Sequence, residues 1–230
     1  MVDATKWSAD GDEAVDELDD FDEVDPDPDL LLPPSYAWRA RTAIEMVISG
    51  LIGMVTSFVL SYEAIALAAD PTATLGCDLN SVISCSKVAQ SWQASLFGFP
   101  NAFLGIAAEA VVITVAIAIL GRVTFPRWFL LGAQAIYTLG FLFAWWLFFE
   151  SYFVIAALCP WCLLITVTTT LVWAGLTRLN VRDRVLNLPG RWGPAGRRFV
   201  DHGNDWFVTA ALIVLLAVLI MAKYGATILG

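Results

Sequence analysis

Sulfur and imidazole are scarce in this chain. Its 230 residues include four cysteines and one histidine, and the cysteines fall into two pairs, Cys77 with Cys85 and Cys159 with Cys162, with no fifth left over. Two pairs of cysteines can in principle hold zinc or an iron–sulfur cluster. No histidine accompanies these, since His202 lies in a distant basic linker, so no metal is expected. Charge is also thin, at 15% of residues, against about 25% in soluble domains. The chain opens with a long acidic stretch rather than with a short basic region and an apolar run, so the first apolar run is expected to stay as an anchor rather than be cleaved as a signal peptide. Between the apolar runs no stretch is long enough for a soluble domain, and nucleic acid is not expected as a partner.

What is abundant is apolar sequence. Hydrophobic residues make up 58% of the chain, above the roughly 45–50% of soluble proteins. They are gathered into five runs of the length that crosses a bilayer, about 20 residues each: from about Thr42 to Ala69, Asn101 to Leu120, Trp128 to Tyr152, Ile155 to Leu176, and Trp206 to Ile228. The net charge of -9 hides an asymmetry. Residues 1–35 hold thirteen acids and one base, Lys6, so the remainder of the chain is mildly basic. The reading that follows has four parts: a disordered acidic tail over 1–38, a membrane domain over 39–177 with a long loop at 70–100, a basic linker over 178–205, and a fifth helix over 206–230. The fold class is all-α and integral to the membrane.

Basic residues set the orientation, because cationic loops stay in the cytoplasm. Arg39 and Arg41, Arg122 and Arg127, and Arg178, Arg182, Arg184, Arg191, Arg197 and Arg198 all fall on one side if every run crosses. Only Lys87 and Lys223 fall on the other. The N-terminus is therefore expected inside, and all four cysteines outside, in a compartment where disulfides form and persist.

The run Cys159-Pro160-Trp161-Cys162 places two thiols on one face at a helix start. Unpaired N–H groups there favour a thiolate on Cys159, and Pro160 suits the first turn. Cys77 and Cys85 enclose a polar seven-residue segment, flexible enough in sequence to swing between partners. Two static staples are the duller alternative, yet a bridge within one helical turn closes a loop too short to stabilise much. A relay of thiol–disulfide exchanges uses both pairs.

Several of these residues together resemble the vitamin K epoxide reductase family in its bacterial form: Cys77-Asp78, then Ile83-Ser84-Cys85-Ser86-Lys87-Val88, Ser91, Phe97-Gly98-Phe99-Pro100-Asn101, and Cys159-Pro160-Trp161-Cys162. The resemblance spans roughly residues 43–177. It implies a four-helix transmembrane bundle around a quinone, menaquinone or ubiquinone, capped by the outer loop and its short helix, with a fifth transmembrane helix added here. By the same resemblance, Cys77 exchanges with a partner protein, Cys85 passes electrons to Cys159, Cys162 faces the quinone, Asn101 lies near a quinone oxygen, and Ser91 frames the pocket. Thr166 stands where vertebrate members carry a tyrosine, so a contact made by that tyrosine is not carried over. A thioredoxin-like domain fused to the bundle, as in some bacterial members, is not expected here, so the partner, a secreted thioredoxin-fold (Dsb-type) protein, is expected to act in trans. The implied function is reoxidation of that partner at a bacterial plasma membrane. The alternatives are vitamin K epoxide reduction as the main role, a thiol-reductant transporter, which would need a cysteine reachable from inside, and a non-enzymatic scaffold.

Overall fold

The computed structural model describes residues 34–186, 190 and 192–229. Residues 1–33, most of the expected acidic tail, lie outside the described residues. The chain forms α1 (Tyr36–Ala69), α2 (Cys85–Ala89), a 3-10 turn (Trp92–Ser95), α3 (Ala102–Leu120), α4 (Arg127–Phe149) continued by a π-helical turn (Glu150–Ile155), α5 (Pro160–Arg182), α6 (Trp192–Asp201) and α7 (Asn204–Leu229). Five of these helices are long and apolar enough to cross a membrane. The protein is an all-α, multi-pass membrane protein.

α5 lies at the centre and is the most enclosed span. α1 packs against both α3 and α5, α4 packs against α5, and α7 leans on α5 as a fifth member. One core gathers Ala43 and Met46 of α1, Val112, Ala116 and Ile119 of α3, Tyr137 of α4, and Val172, Leu176 and Leu179 of α5. In lipid there is no water to satisfy polar side chains, so the threonines of α5 bond their own helix. Thr166 donates to the Cys162 carbonyl at 3.0 Å, and Thr170 to that of Thr166 at 2.7 Å. Gly53 of α1 leaves room for the buried Glu109 of α3: a Cβ there would come within 2.7 Å of the Glu109 carboxylate. The Tyr137 hydroxyl donates to that carboxylate at 3.1 Å.

The helix boundaries differ from the sequence expectation at several places. The fourth span does not start at Ile155. The π-helical turn carries the third span on to that residue, Ala156 then turns left-handed (φ 54°), and a helix starts afresh at Pro160. Proline has no N–H to give to a preceding turn, so it opens a helix rather than continuing one. At its other end α5 runs to Arg182, and the linker contains α6. Tyr36 already belongs to α1, which also shortens the expected tail.

The basic ends of the helices gather at one end of the bundle. Arg39 bonds Asp183 at 2.6 Å, and Arg127 donates to the Val185 carbonyl at 3.0 Å. Buried Arg178 meets Glu45 of α1 at 3.2 Å and Asp205 at the start of α7, and it lies over the Trp206 ring. Gly203 (φ 73°) makes the left-handed turn from α6 into α7. The cysteines lie at the opposite end.

Candidate functional site

Cys77 and Cys85 are joined in a disulfide, with Cα atoms 5.7 Å apart. The loop between them is ordered by its own acid and amide. Asp78 accepts from the Leu75 N–H at 2.8 Å, the Ser86 N–H at 3.0 Å and the Ser84 hydroxyl at 2.8 Å. Burial works against its charge, but these bonds outweigh it and hold the carboxyl at about 2. Asn80 accepts from the N–H groups of Val82 and Ile83 at 2.9 and 2.8 Å, closing an Asx turn. The segment expected to be flexible is thus tied down by five side-chain bonds that composition alone does not reveal. Ser84 then caps α2, accepting from the Lys87 N–H at 3.3 Å, and Cys85 is the first residue of that helix.

The second pair is brought to the first by a short backbone bridge. Leu158 N–H donates to the Val82 carbonyl at 2.7 Å, and Ser84 N–H donates to the Leu158 carbonyl at 3.0 Å. Two of these residues immediately precede a cysteine: Ser84 before Cys85, Leu158 before Cys159. Both cysteines are 1% exposed and share one buried cluster with Val88 and Ala157, packed against Leu60, Leu75, Cys77, Ile155, Trp161 and Cys162. The Ser151 hydroxyl donates to the Ala157 carbonyl and holds the approach to α5 from below.

Cys159 and Cys162 are free thiols. Cys159 is the N-cap of α5, and its sulfur accepts from the Cys162 N–H at 3.4 Å. The thiol of Cys162 beside it, more than burial can oppose, draws the Cys159 pKa below that of an ordinary cysteine, helped by the Cys162 and Trp161 N–H groups. Cys162 is less enclosed and lies one turn inside the helix.

Asn101 caps α3 without a side-chain capping bond. Its amide donates to the Gln93 carbonyl at 2.6 Å, and its own Oδ1 is buried with no partner. Gln93 in turn donates to Glu150 of the π-helical turn at 3.0 Å, tying the outer cap to α4. Ser91 donates to the Val88 carbonyl at 2.7 Å between α2 and the 3-10 turn. Thr166 is buried in α5. His202 is exposed, with Nδ1 2.7 Å from the Arg198 carbonyl, far from the cysteines in the fold. Around the cap an arc of rings, exposed at Trp92, Phe97, Phe99 and Phe103 and half-buried at Phe143 and Trp146 of α4, runs at centroid spacings of 5.7 to 6.4 Å. Such rings suit the headgroup level of a bilayer.

One neighbour of the sulfurs escaped the reading of the sequence. Glu63, near the end of α1, places its carboxylate oxygens 3.6 and 3.9 Å from the Cys77 sulfur. Its carboxylate and the sulfurs of Cys77 and Cys85 lie within 4.8 Å of one another. A metal could be held by such a set only with both sulfurs unbonded. The available signal was an acid inside a span of apolar sequence, a placement that marks function in membranes.

A search of curated proteins finds no match to the chain. The model of the vitamin K epoxide reductase family matches residues 44–176, a segment that holds all four cysteines, Glu63, Ser91 and Asn101. With more than half of its length inside that match, the chain belongs to the vitamin K epoxide reductase family, whose members are membrane oxidoreductases acting on thiols.

Proposed function

We propose that the protein oxidises the dithiol of a thioredoxin-fold partner outside the cytoplasm and passes the two electrons, through Cys77–Cys85 and then Cys159–Cys162, to a membrane quinone. A partner thiolate attacks the Cys77 sulfur, and the bond to Cys85 breaks. The partner's second thiol displaces Cys77 and leaves the partner oxidised. Cys85 then attacks Cys159 of the inner disulfide, Cys162 leaves, and Cys77 attacks Cys85 to restore the outer disulfide and free Cys159. A closed outer pair beside two inner thiols is the state such a hand-over leaves, and it is the pairing found here.

The observation that carries this reading is the enclosure of Cys85 and Cys159 in one cluster, held by the Val82–Leu158–Ser84 bridge. Burial keeps water and small thiols from this inner step, while Cys77 at the rim stays partly exposed for a protein partner. The depressed pKa of Cys159 makes it the better leaving group when Cys77 resolves the mixed disulfide.

The residues at this end suit a quinone. Asn101 has a spare amide hydrogen for a ring carbonyl and an unpartnered Oδ1 for a ring hydroxyl, so it can bond both redox forms. When bound, the quinone supplies a two-electron, two-proton acceptor. Asn101 would orient the ring, Cys162 would face it, Ser91 would hold the cap over it, and the apolar bundle would exclude water. The clustering of arginines at the far end supports placing the cysteine end outside a bacterial plasma membrane, beyond the reach of cytoplasmic thiols. Single replacements Cys159→Ala and Cys162→Ala test the reading: a relay loses quinone reduction by a reduced donor in both, while a scaffold keeps its function.

A further inference from the structure

We propose that Glu63 is the proton-exchange group of the outer dithiol, giving a proton to Cys85 when the outer disulfide opens and taking it back when Cys85 attacks Cys159. The inference rests on the relay reading for its second half only. Its basis is position. Glu63 is the carboxyl within 4.8 Å of both outer sulfurs, on a rigid helix rather than on the loop. No ion pair neutralises it among the described residues. The other titratable groups whose fields reach this corner are Asp78 from the loop and Cys159 and Cys162 from the head of α5. Asp78 is committed to three hydrogen bonds, which leaves Glu63 to move protons.

The need arises from burial. When a partner thiolate bonds to Cys77, the electron pair of the broken sulfur–sulfur bond goes to Cys85, whose side chain is 1% exposed. A thiolate there would be an unpaired buried charge. Glu63 in its acid form delivers a proton to that sulfur and becomes a carboxylate. The partner's second thiol then forms the partner disulfide and releases Cys77, to which its proton passes. In the inner step Cys85 returns its proton to Glu63 as it bonds to Cys159, and Cys162 leaves with the electron pair. Cys77 then reforms the outer disulfide, and its proton goes to Cys159 as that sulfur departs. Over the cycle two electrons leave the partner and Glu63 is regenerated.

The test uses Glu63→Gln and Glu63→Asp in the full chain. The first arm reads Cys77 alone, as its alkylation rate against pH in Cys85→Ala protein. Removing a carboxylate 3.6 Å away should shift the alkylation midpoint to lower pH and speed alkylation at neutral pH. The second arm reads exchange, as the rate at which dithiothreitol opens the Cys77–Cys85 disulfide and the rate of turnover with a reduced donor. Both should fall about a hundredfold in Glu63→Gln, within the range of general acid–base catalysis, and largely return in Glu63→Asp. A more reactive sulfur in a slower protein is a pair of effects that lost packing does not produce. Unchanged alkylation midpoint and exchange within twofold of wild type would overturn the proposal. The dithiothreitol arm needs no quinone, so Glu63 is read even if the relay to quinone fails.

Discussion

Asp78 organises the segment between the outer cysteines, and its chemistry gives that segment a pH limit. Its folded pKa, about 2, lies below the ordinary carboxylate value of 3.8. A lowered carboxyl stabilises the fold fully above the ordinary value and loses that contribution as pH falls through about 2. In Glu63→Gln protein, where that neighbouring acid no longer titrates, the Cys77–Cys85 disulfide should therefore open at a constant rate per unprotonated phosphine from pH 7 to 5 and faster toward pH 2. Asp78→Asn should raise the rate at pH 5 by about tenfold or more, since hydrogen bonds to a charged group are each worth roughly 1.5–3 kcal/mol. Stopped-flow reduction reads both. Cys85→Ala should leave a donor protein trapped covalently on Cys77, visible as a reductant-sensitive band in a non-reducing gel. At this scale the cysteines were legible because two pairs with no spare leave few pairings to consider. Asp78 and Glu63 were not, because each acts through a fold-made contact: Asp78 reaches Ser86 across eight residues and Glu63 reaches Cys77 across fourteen.

Helices divide into those that hold the site and one that braces it. The outer end of α7 docks on the π-helical turn: Lys223 and the Tyr224 hydroxyl both donate to the Tyr152 carbonyl, and the Tyr152 hydroxyl donates to the Leu219 carbonyl at 3.0 Å. That turn leads through Ala156 to Leu158 and so to Cys159. In a Cys77→Ala, Cys162→Ala background, Lys223→Ala with Tyr224→Phe should lower the yield of a trapped Cys85–Cys159 disulfide severalfold, measured by mass spectrometry, while Cys85 and Cys159 remain alkylatable after reduction. At the other end of the bundle, Arg178→Met leaves Glu45 and Asp205 without their cation. Breaking a buried ion cluster in this way costs roughly 3–5 kcal/mol, to be seen as a lower unfolding midpoint in detergent. Replacing all three with apolar residues should recover most of the loss. The spans themselves were legible from run length, since the bilayer demands it. The break before α5 was not, because Ile155 to Leu158 read as apolar as any helix, and the left-handed Ala156 follows from packing, not from residue type.

For the molecule as a whole, the proposed orientation rests on arginine. A single cysteine placed at Leu79 in a protein with its four native cysteines replaced should react with an impermeant maleimide in intact cells, and one placed at Arg184 should react only after lysis. The family match was foreshadowed by the cysteine-bearing motifs, and the five spans and the gathering of basic residues at one end by hydropathy and charge. The docking of the fifth helix was not, because its apolar surface carries no periodic mark of which face meets the bundle. The most direct measurement is quinone reduction by purified protein in lipid nanodiscs, supplied with a reduced thioredoxin-fold donor and followed by ultraviolet absorbance. The account predicts one quinol formed per donor disulfide, abolished by loss of any one of the four cysteines. Quinone left untouched by the intact protein, or still reduced when Cys162 is alanine, would contradict it.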